Sequence, residues 1–193
     1  PKDIANEQVN LLGQGLSTGT NLNKLTYFGV CGTQRYYEVD GNFYFRIGLS
    51  GTEGANGKYT YTTDTRGNLT DISGLEKVND TIKKSIKYMY LVANNIDSIT
   101  SLKDYSNIYE LALSNNASLQ NVSGLEGNNS IKYLTLNDCN VSTLSGLSQM
   151  GMLEHLAVQN NLNLTSLTGI ENDTNLKYLL AYGCNIDNIT ALE

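Results

Sequence analysis

Tryptophan is absent from this chain of 193 residues, proline and histidine each occur once, and there are 3 cysteines. One histidine is too few for the usual multi-histidine metal centre, and an odd, small cysteine count does not make a disulfide framework. Basic residues are sparse as well: 13 Lys and Arg face 19 Asp and Glu, for a net charge of -6 without a long acidic run. That balance argues against a nucleic-acid partner, which needs a positive surface. No apolar run approaches the roughly 20 residues of a membrane helix, and the chain carries neither a recognisable signal peptide nor a transmembrane segment. P-loop, GxSxG, HExxH and dinucleotide fingerprints are missing too, so no cofactor is expected.

Abundant residues are Asn, Thr, Ser, Gly and Tyr, with 18 Gly and 13 Tyr. Asn, Ser and Gly favour turns, while Tyr and Thr favour strands, so short strands joined by turns are expected in place of long helices. Hydrophobic residues make up 40% of the chain, enough for a core. The length suits one ordinary domain or a repeat array with a small companion.

The organisation lies in the spacing of the apolar residues. IYELAL from Ile108 is followed by IKYLTL, LEHLAV and LKYLLA at intervals of 22 or 23 residues. A full copy reads Ile86, Met89, Leu91, Asn94, Ile96, Ile99, Leu102, and the next reads Ile108, Leu111, Leu113, Asn116, Leu119, Val122, Leu125. Three more follow, led by Ile131, Leu153 and Leu176, with Cys139, Asn161 and Cys184 at the ninth position. The extra residue of the longer copies falls just after Asn in NNASL and NNLNL. This is the leucine-rich repeat signature: one short strand and one return segment per copy, neither able to bury its apolar side until copies stack. Asn or Cys at the ninth position suits the turn leaving the strand. Apolar residues at every third position predict 3₁₀ or extended coil in the return segment. The small residues Gly74, Ser101, Gly124, Gly146, Gly169 and Ala191 mark a point where bulk is not tolerated.

The form N-x-I-x-x-I-x-x-L-x-x-x-x-x-I/L-x-x-L-x-L, as in NNIDSITSLKDYSNIYELAL, resembles the 22-residue repeats of internalin-type bacterial surface proteins and covers about residues 67–193. The resemblance implies an α/β-type leucine-rich repeat solenoid, with a parallel concave β-sheet and short 3₁₀ or coil segments on the convex side. It also implies a role in surface adhesion. Internalins carry a helical N-terminal cap and usually an immunoglobulin-like segment after the repeats, and this chain departs from that pattern at both ends.

A leading half-copy, Leu69, Ile72 and Leu75, opens the array, and Val78, Ile82 and Ile86 recur at helical spacing in the connector behind it. Before it, KLTYFGV, RYYEV, NFYFRIGL and KYTYTT are β-prone, and Asp-Gly between RYYEV and NFYF is a hairpin signal. GLSGTEGANG is expected to be a mobile loop, and DIANEQVNLLGQG to open with one or two helical turns. Residues 1–66 are therefore expected to form a small β-rich N-terminal cap over the first repeat, or an accessory module, and 67–193 the array. The start at Pro1 fits a trimmed or mature form, and the stop at Glu193 fits a truncation.

Alternation along each strand aims its third, fifth and seventh positions away from the core, giving three concave columns. The first is Tyr88, Glu110, Tyr133, His155, Tyr178; the second Tyr90, Ala112, Thr135, Ala157, Leu180; the third Val92, Ser114, Asn137, Gln159, Tyr182. From these, Tyr88, Tyr90, Glu110, Tyr133, Thr135, Asn137, His155, Gln159, Tyr178 and Tyr182 are the candidate ligand-binding residues. Tyrosine combines a rigid apolar ring with a hydroxyl, although it is also a common strand-surface residue. No catalytic set emerges. His155 falls on the concave side while Cys139 and Cys184 face the core, which disfavours a Cys-His pair. Those two cysteines lie two repeats apart, about 9 to 10 Å, too far for a disulfide, and Cys31 has no visible partner. The N-x-S/T triplets, such as Asn68-Leu69-Thr70 and Asn163-Leu164-Thr165, are expected by chance in so Asn- and Thr-rich a chain.

The expected function is a secreted or surface-displayed, extracellular module that binds a protein or glycan, including one on a host cell, through its concave face. A structural stalk or spacer within a larger surface protein is the alternative. An enzymatic role would need a site in the N-terminal segment, where no motif supports one.

Overall fold

The structure is a computed structural model that describes residues 69–193, together with the backbone of five short strands before them. Those strands are β1 (Leu25–Cys31), β2 (Gln34–Val39), β3 (Asn42–Phe43), β4 (Thr52–Glu53) and β5 (Tyr59–Thr60). The array supplies helix α1 (Asp80–Ser85) and strands β6 (Tyr88–Tyr90), β7 (Glu110–Ala112), β8 (Tyr133–Thr135), β9 (His155–Ala157) and β10 (Tyr178–Leu180).

Strands β6 to β10 are parallel neighbours in unbroken register, so Met89, Leu111, Leu134, Leu156 and Leu179 form one row across the sheet. Each turn of the chain returns on the convex side and lays its next strand beside the last. The first four members of that row and the row of Leu91, Leu113, Leu136 and Val158 are buried, facing Ile99, Val122, Leu144 and Leu167 of the return segments. The coil containing β10 is flanked on one side only, and Leu176, Leu179 and Ile186 are only partly covered.

The return segments are 3₁₀ at Ser73–Lys77, Thr100–Leu102, Ser145–Leu147 and Thr190–Leu192, as the three-residue spacing predicts. Gly124 and Gly169 take φ of +108° and +115°. A Cβ there would meet the carbonyl oxygens of Ile99 and Leu144 in the preceding repeat. At Gly146 a Cβ would sit 2.6 Å from the Val122 carbonyl oxygen. This backbone-to-backbone approach is the physical reason for the small residues at that position.

The ninth position stitches repeats together. Asn116 donates to the carbonyls of Leu91 and Leu113 at 2.7 and 2.6 Å and accepts from Ile96 N–H at 3.1 Å. Asn161 repeats the arrangement with Leu136, Val158 and Val141. Cys139 and Cys184 replace the donor only, placing Sγ 3.3 and 3.0 Å from the carbonyl oxygens of Leu113 and Val158. A thiol donates one bond where an amide spans three groups, yet it still satisfies the carbonyl of the preceding strand.

One residue earlier the chain turns through the left-handed region in every repeat, at Ala93, Asn115, Asp138, Asn160 and Gly183, with φ between 54° and 72°. Asn, Asp and Gly tolerate that conformation, and Ala93 is the exception. The helix expected behind the half-copy is present as α1, capped by Asn79, whose side chain accepts from Thr81 N–H at 2.8 Å. Val78, Ile82 and Ile86 are buried around it.

In the N-terminal segment β1 and β2 are antiparallel, and β2 and β3 also pair antiparallel, with Val39 beside Asn42; the Asp-Gly step between them lies outside the described residues. Strand β1 also pairs in parallel with β6, Tyr27 beside Tyr88, so the sheet runs on past the first repeat in the order β10-β9-β8-β7-β6-β1-β2-β3. Within GLSGTEGANG only Thr52–Glu53 is described, and it pairs antiparallel with Tyr59–Thr60 of the β-prone KYTYTT; the rest of the expected loop lies outside the described residues. The helical turns expected near DIANEQVNLLGQG, and the side chain of Cys31, lie outside the described residues.

Candidate concave ridge

The first concave column stands in direct lateral register: Tyr88 beside Glu110, Glu110 beside Tyr133, Tyr133 beside His155, His155 beside Tyr178. The second column is equally aligned, with Tyr90, Ala112, Thr135, Ala157 and Leu180 side by side. Ala112 and Ala157 are each 8% exposed, so that column is a shallow floor between taller neighbours. The third column continues the ladder beyond the strands. There Ser114 Oγ accepts from Asn137 N–H at 3.1 Å and Asn137 Oδ1 accepts from Gln159 N–H at 3.0 Å. Asn137 therefore spends its carbonyl on the neighbouring repeat, a bracing role that its exposure in the sequence pattern did not reveal.

Aromatic rings follow one another along the first column and the row beside it, stacked at one end. Tyr133 lies 4.5 Å from His155 at 22° to parallel, and His155 lies 4.4 Å from Tyr178 at 14°. Glu110 interrupts the column in sequence, but Tyr109 fills the gap: its ring is 6.0 Å from Tyr88 and 5.4 Å from Tyr133. Sequence reasoning passed over Tyr109 because strict strand alternation puts it on the other side. The chain between Ile108 and Leu111 exposes two consecutive residues, 109 and 110, while both flanking residues are buried. The signal was available in the repeated I-x-x-L spacing, which leaves two outward positions and not one.

That same extra position forms a fourth row, Lys87, Tyr109, Lys132, Glu154 and Lys177, tied laterally by the backbone. Glu154 is held by Lys132 and Lys177, each at 2.9 Å. Those two hydrogen bonds, first that of Lys132 and then that of Lys177, lower its carboxyl to about 2. The Lys132 ammonium also lies 5.9 Å from the Tyr109 ring centroid. Hydrogen bonding to Tyr133 raises the Tyr109 phenol.

Chemistry of the nucleophilic kind finds no support at the cysteines. Burial pushes the Cys139 thiol up to about 11, and its sulfur is turned to backbone carbonyls in the core while His155 stands in the concave stack. Among the described residues no group of His, Cys, Asp and Glu is placed to hold a metal ion, and no helix is long and apolar enough to cross a membrane.

The solenoid matches solved leucine-rich repeat proteins. An internalin (inlF) from Listeria monocytogenes superimposes with a TM-score of 0.59 at 26% identity, over 65% of this chain and 35% of the internalin. A leucine-rich repeat protein from Leptospira interrogans gives 0.55 at 24% identity, over 63% of this chain and 30% of that one. The chain thus spans about a third of the length of these neighbours. No family model matches the chain, and no curated protein matches it in sequence. Fold and repeat together define a leucine-rich repeat solenoid of the internalin type.

Proposed function

We propose that this protein is a secreted or surface-displayed adhesion module that binds a macromolecule through the ridge of rings on its concave sheet. The observation carrying this reading is the run of neighbouring rings from Tyr88 through Tyr109, Tyr133 and His155 to Tyr178, edge-on or tilted at its first two contacts and stacked at its last two, which spans all five repeats. Curved solenoids offer such extended surfaces to partners, and a small metabolite would instead call for an enclosed apolar cavity. Tyr178 and Tyr182, at 58% and 66% exposure, and Tyr90 and Gln159 in the flanking columns extend the surface available to a partner. Resemblance to the Listeria internalin supports an extracellular location.

The test compares the labelled wild-type chain with a Tyr133→Ala, Tyr178→Ala double variant on cultured epithelial cells. Saturable, trypsin-sensitive binding that falls at least about tenfold in a variant of unchanged circular dichroism and melting is the expected result. Equal binding by the two proteins would assign the array to a stalk or spacer.

A further inference from the structure

We infer that a cleft on the convex side, between the first two return segments, is a binding site for a guanidinium group, carried by an arginine side chain of a partner polypeptide or by a small free guanidine. The site is separate from the concave ridge, and its test does not depend on that reading.

The cleft lies between Ser73–Lys77 and the residues leading into Thr100–Leu102, and its volume is about 230 Å³. That size suits one side-chain-sized group and not a whole metabolite. Its lining is acidic: Asp71, Glu76 and Asp97 contribute carboxylates, and no lining residue is basic. Lys77 and Lys103, in or next to the same segments, are not part of the lining. A concave surface of one charge sign concentrates ions of the other.

Two of these carboxylates are uncommitted. Asp71 accepts from the Ser73 N–H and hydroxyl at 2.7 and 3.0 Å, which fixes it at the rim. Glu76 and Asp97 have no hydrogen bond or ion pair among the described residues. Glu126 and Glu171 stand at the same place in their repeats as Glu76, and they fold back on the N–H groups of Gly124 and Gly169 at 2.6 and 2.8 Å. Glu76 makes no such bond to Gly74 and lines the cleft instead.

Ser101 is a second, independent pointer to a ligand. It stands where later return segments have Gly124, Gly146 and Gly169, it is only 6% exposed, and it lines the cleft. Its hydroxyl has no hydrogen-bond partner among the described residues. Buried hydroxyls ordinarily find one, so an unpaired hydroxyl opening into an acidic cleft marks the place of a bound polar group.

The donor pattern selects the ligand. Among the described residues the carboxylates are not gathered closely enough to hold a metal ion. An ammonium is a compact point charge with three donors, whereas a guanidinium spreads five N–H donors in a plane and is less strongly hydrated. Such a fork serves the carboxylates of both segments and the Ser101 hydroxyl together, through charge-assisted bonds.

The test follows backbone amide shifts of the isotope-labelled full chain in nuclear magnetic resonance titrations. The probes are propylguanidinium, its neutral isostere propylurea, and a capped Gly-Gly-Arg-Gly-Gly peptide beside its lysine counterpart. Expected are saturable shifts centred on Ser73, Glu76, Asp97 and Ser101 with a guanidinium probe, none with propylurea, and binding at least about fivefold weaker for the lysine peptide. Glu76→Gln with Asp97→Asn, both exposed and therefore compatible with the fold, should weaken binding at least about fivefold. Ser101→Gly, which installs the residue of the later repeats, should weaken it about threefold without lowering the melting temperature. Binding of propylguanidinium alone identifies a free guanidine as the ligand, and binding of the arginine peptide identifies a polypeptide; either supports the inference. No binding of either, equal binding of propylurea or of the lysine peptide, displacement by equimolar calcium chloride, or unchanged binding in the double variant overturns it.

Discussion

The imidazole of His155 lies 4.4 Å from the ring of Tyr178 and 14° from parallel to it, with Tyr133 at 4.5 Å on its other face. Strand spacing in a parallel sheet, about 4.8 Å, is close to the separation of stacked rings. Any planar side chain placed at this position in successive repeats is therefore brought into a stack by the backbone itself. The one histidine of the chain is a rung of that stack, which accounts for it without invoking catalysis.

Substitutions on the two sides of a strand are expected to act differently. Leu134→Ala and Leu156→Ala remove fully buried methyl groups next to backbone that cannot collapse, and should each cost about 2 to 5 kcal/mol. Thr135→Ala, half-buried on the concave floor, should cost under about 1 kcal/mol. Urea denaturation of the three variants measures this, and a Thr135→Ala loss as large as that of Leu134→Ala would place the register one residue out.

Two backbone substitutions should move stability in opposite directions. Ala93 adopts φ 55°, a conformation that strains an L side chain, so Ala93→Gly is expected to stabilise by about 1 kcal/mol. Gly169→Ala combines φ +115° with a Cβ driven into the Leu144 carbonyl oxygen, and should destabilise by at least about 2 kcal/mol. Calorimetric melts report both signs, and a neutral Gly169→Ala would contradict the close approach of the two repeats.

Asp173 should make the array more stable in mild acid than at neutral pH. It is 5% exposed, and neither carboxylate oxygen has a hydrogen-bond partner. Burial, and secondarily the charge of Glu171, raise its carboxyl to about 7. The folded chain thus holds a proton that the unfolded chain has lost. Stability contributed by that proton is full below about pH 4 and falls by at most about 1.4 kcal/mol per unit up to about pH 7. Asn128 occupies the same place two repeats earlier and donates to the Tyr105 carbonyl at 2.8 Å. Asp173→Asn should accordingly stabilise the protein at pH 8 and flatten this part of the pH profile. The opposing contribution is Glu154, whose lowered carboxyl loses its stabilising effect only as pH falls from about 4 toward 2. A wild-type chain equally stable at pH 5 and pH 8 would refute the assignment to Asp173.

Much of the fold was legible because a solenoid repeats its instructions. Leu111, Leu134 and Leu156 recur at fixed intervals, and one register satisfies all of them at once, so five short strands and their columns could be placed from spacing alone. The short copies and long copies are also told apart by the residue following Asn116 and Asn161. Strand alternation alone missed Tyr109 and Lys132, because it does not apply where the chain enters the strand and exposes two neighbours in succession, a feature that only the I-x-x-L spacing signals. Asn137 was legible as a concave residue but not as a brace, since its bond to the Gln159 backbone depends on a neighbour 22 residues away.

By itself the sequence determined which residues face inward, where each repeat turns, and which positions admit only small side chains, for these follow from local chemistry repeated along the chain. Tertiary structure decided what the outward residues do to one another. The run of rings Tyr88, Tyr109, Tyr133, His155 and Tyr178 and the Lys132–Glu154–Lys177 bridge exist only once the repeats lie side by side, because each contact joins residues about one repeat apart in sequence that strand pairing brings within ring-contact or hydrogen-bonding distance.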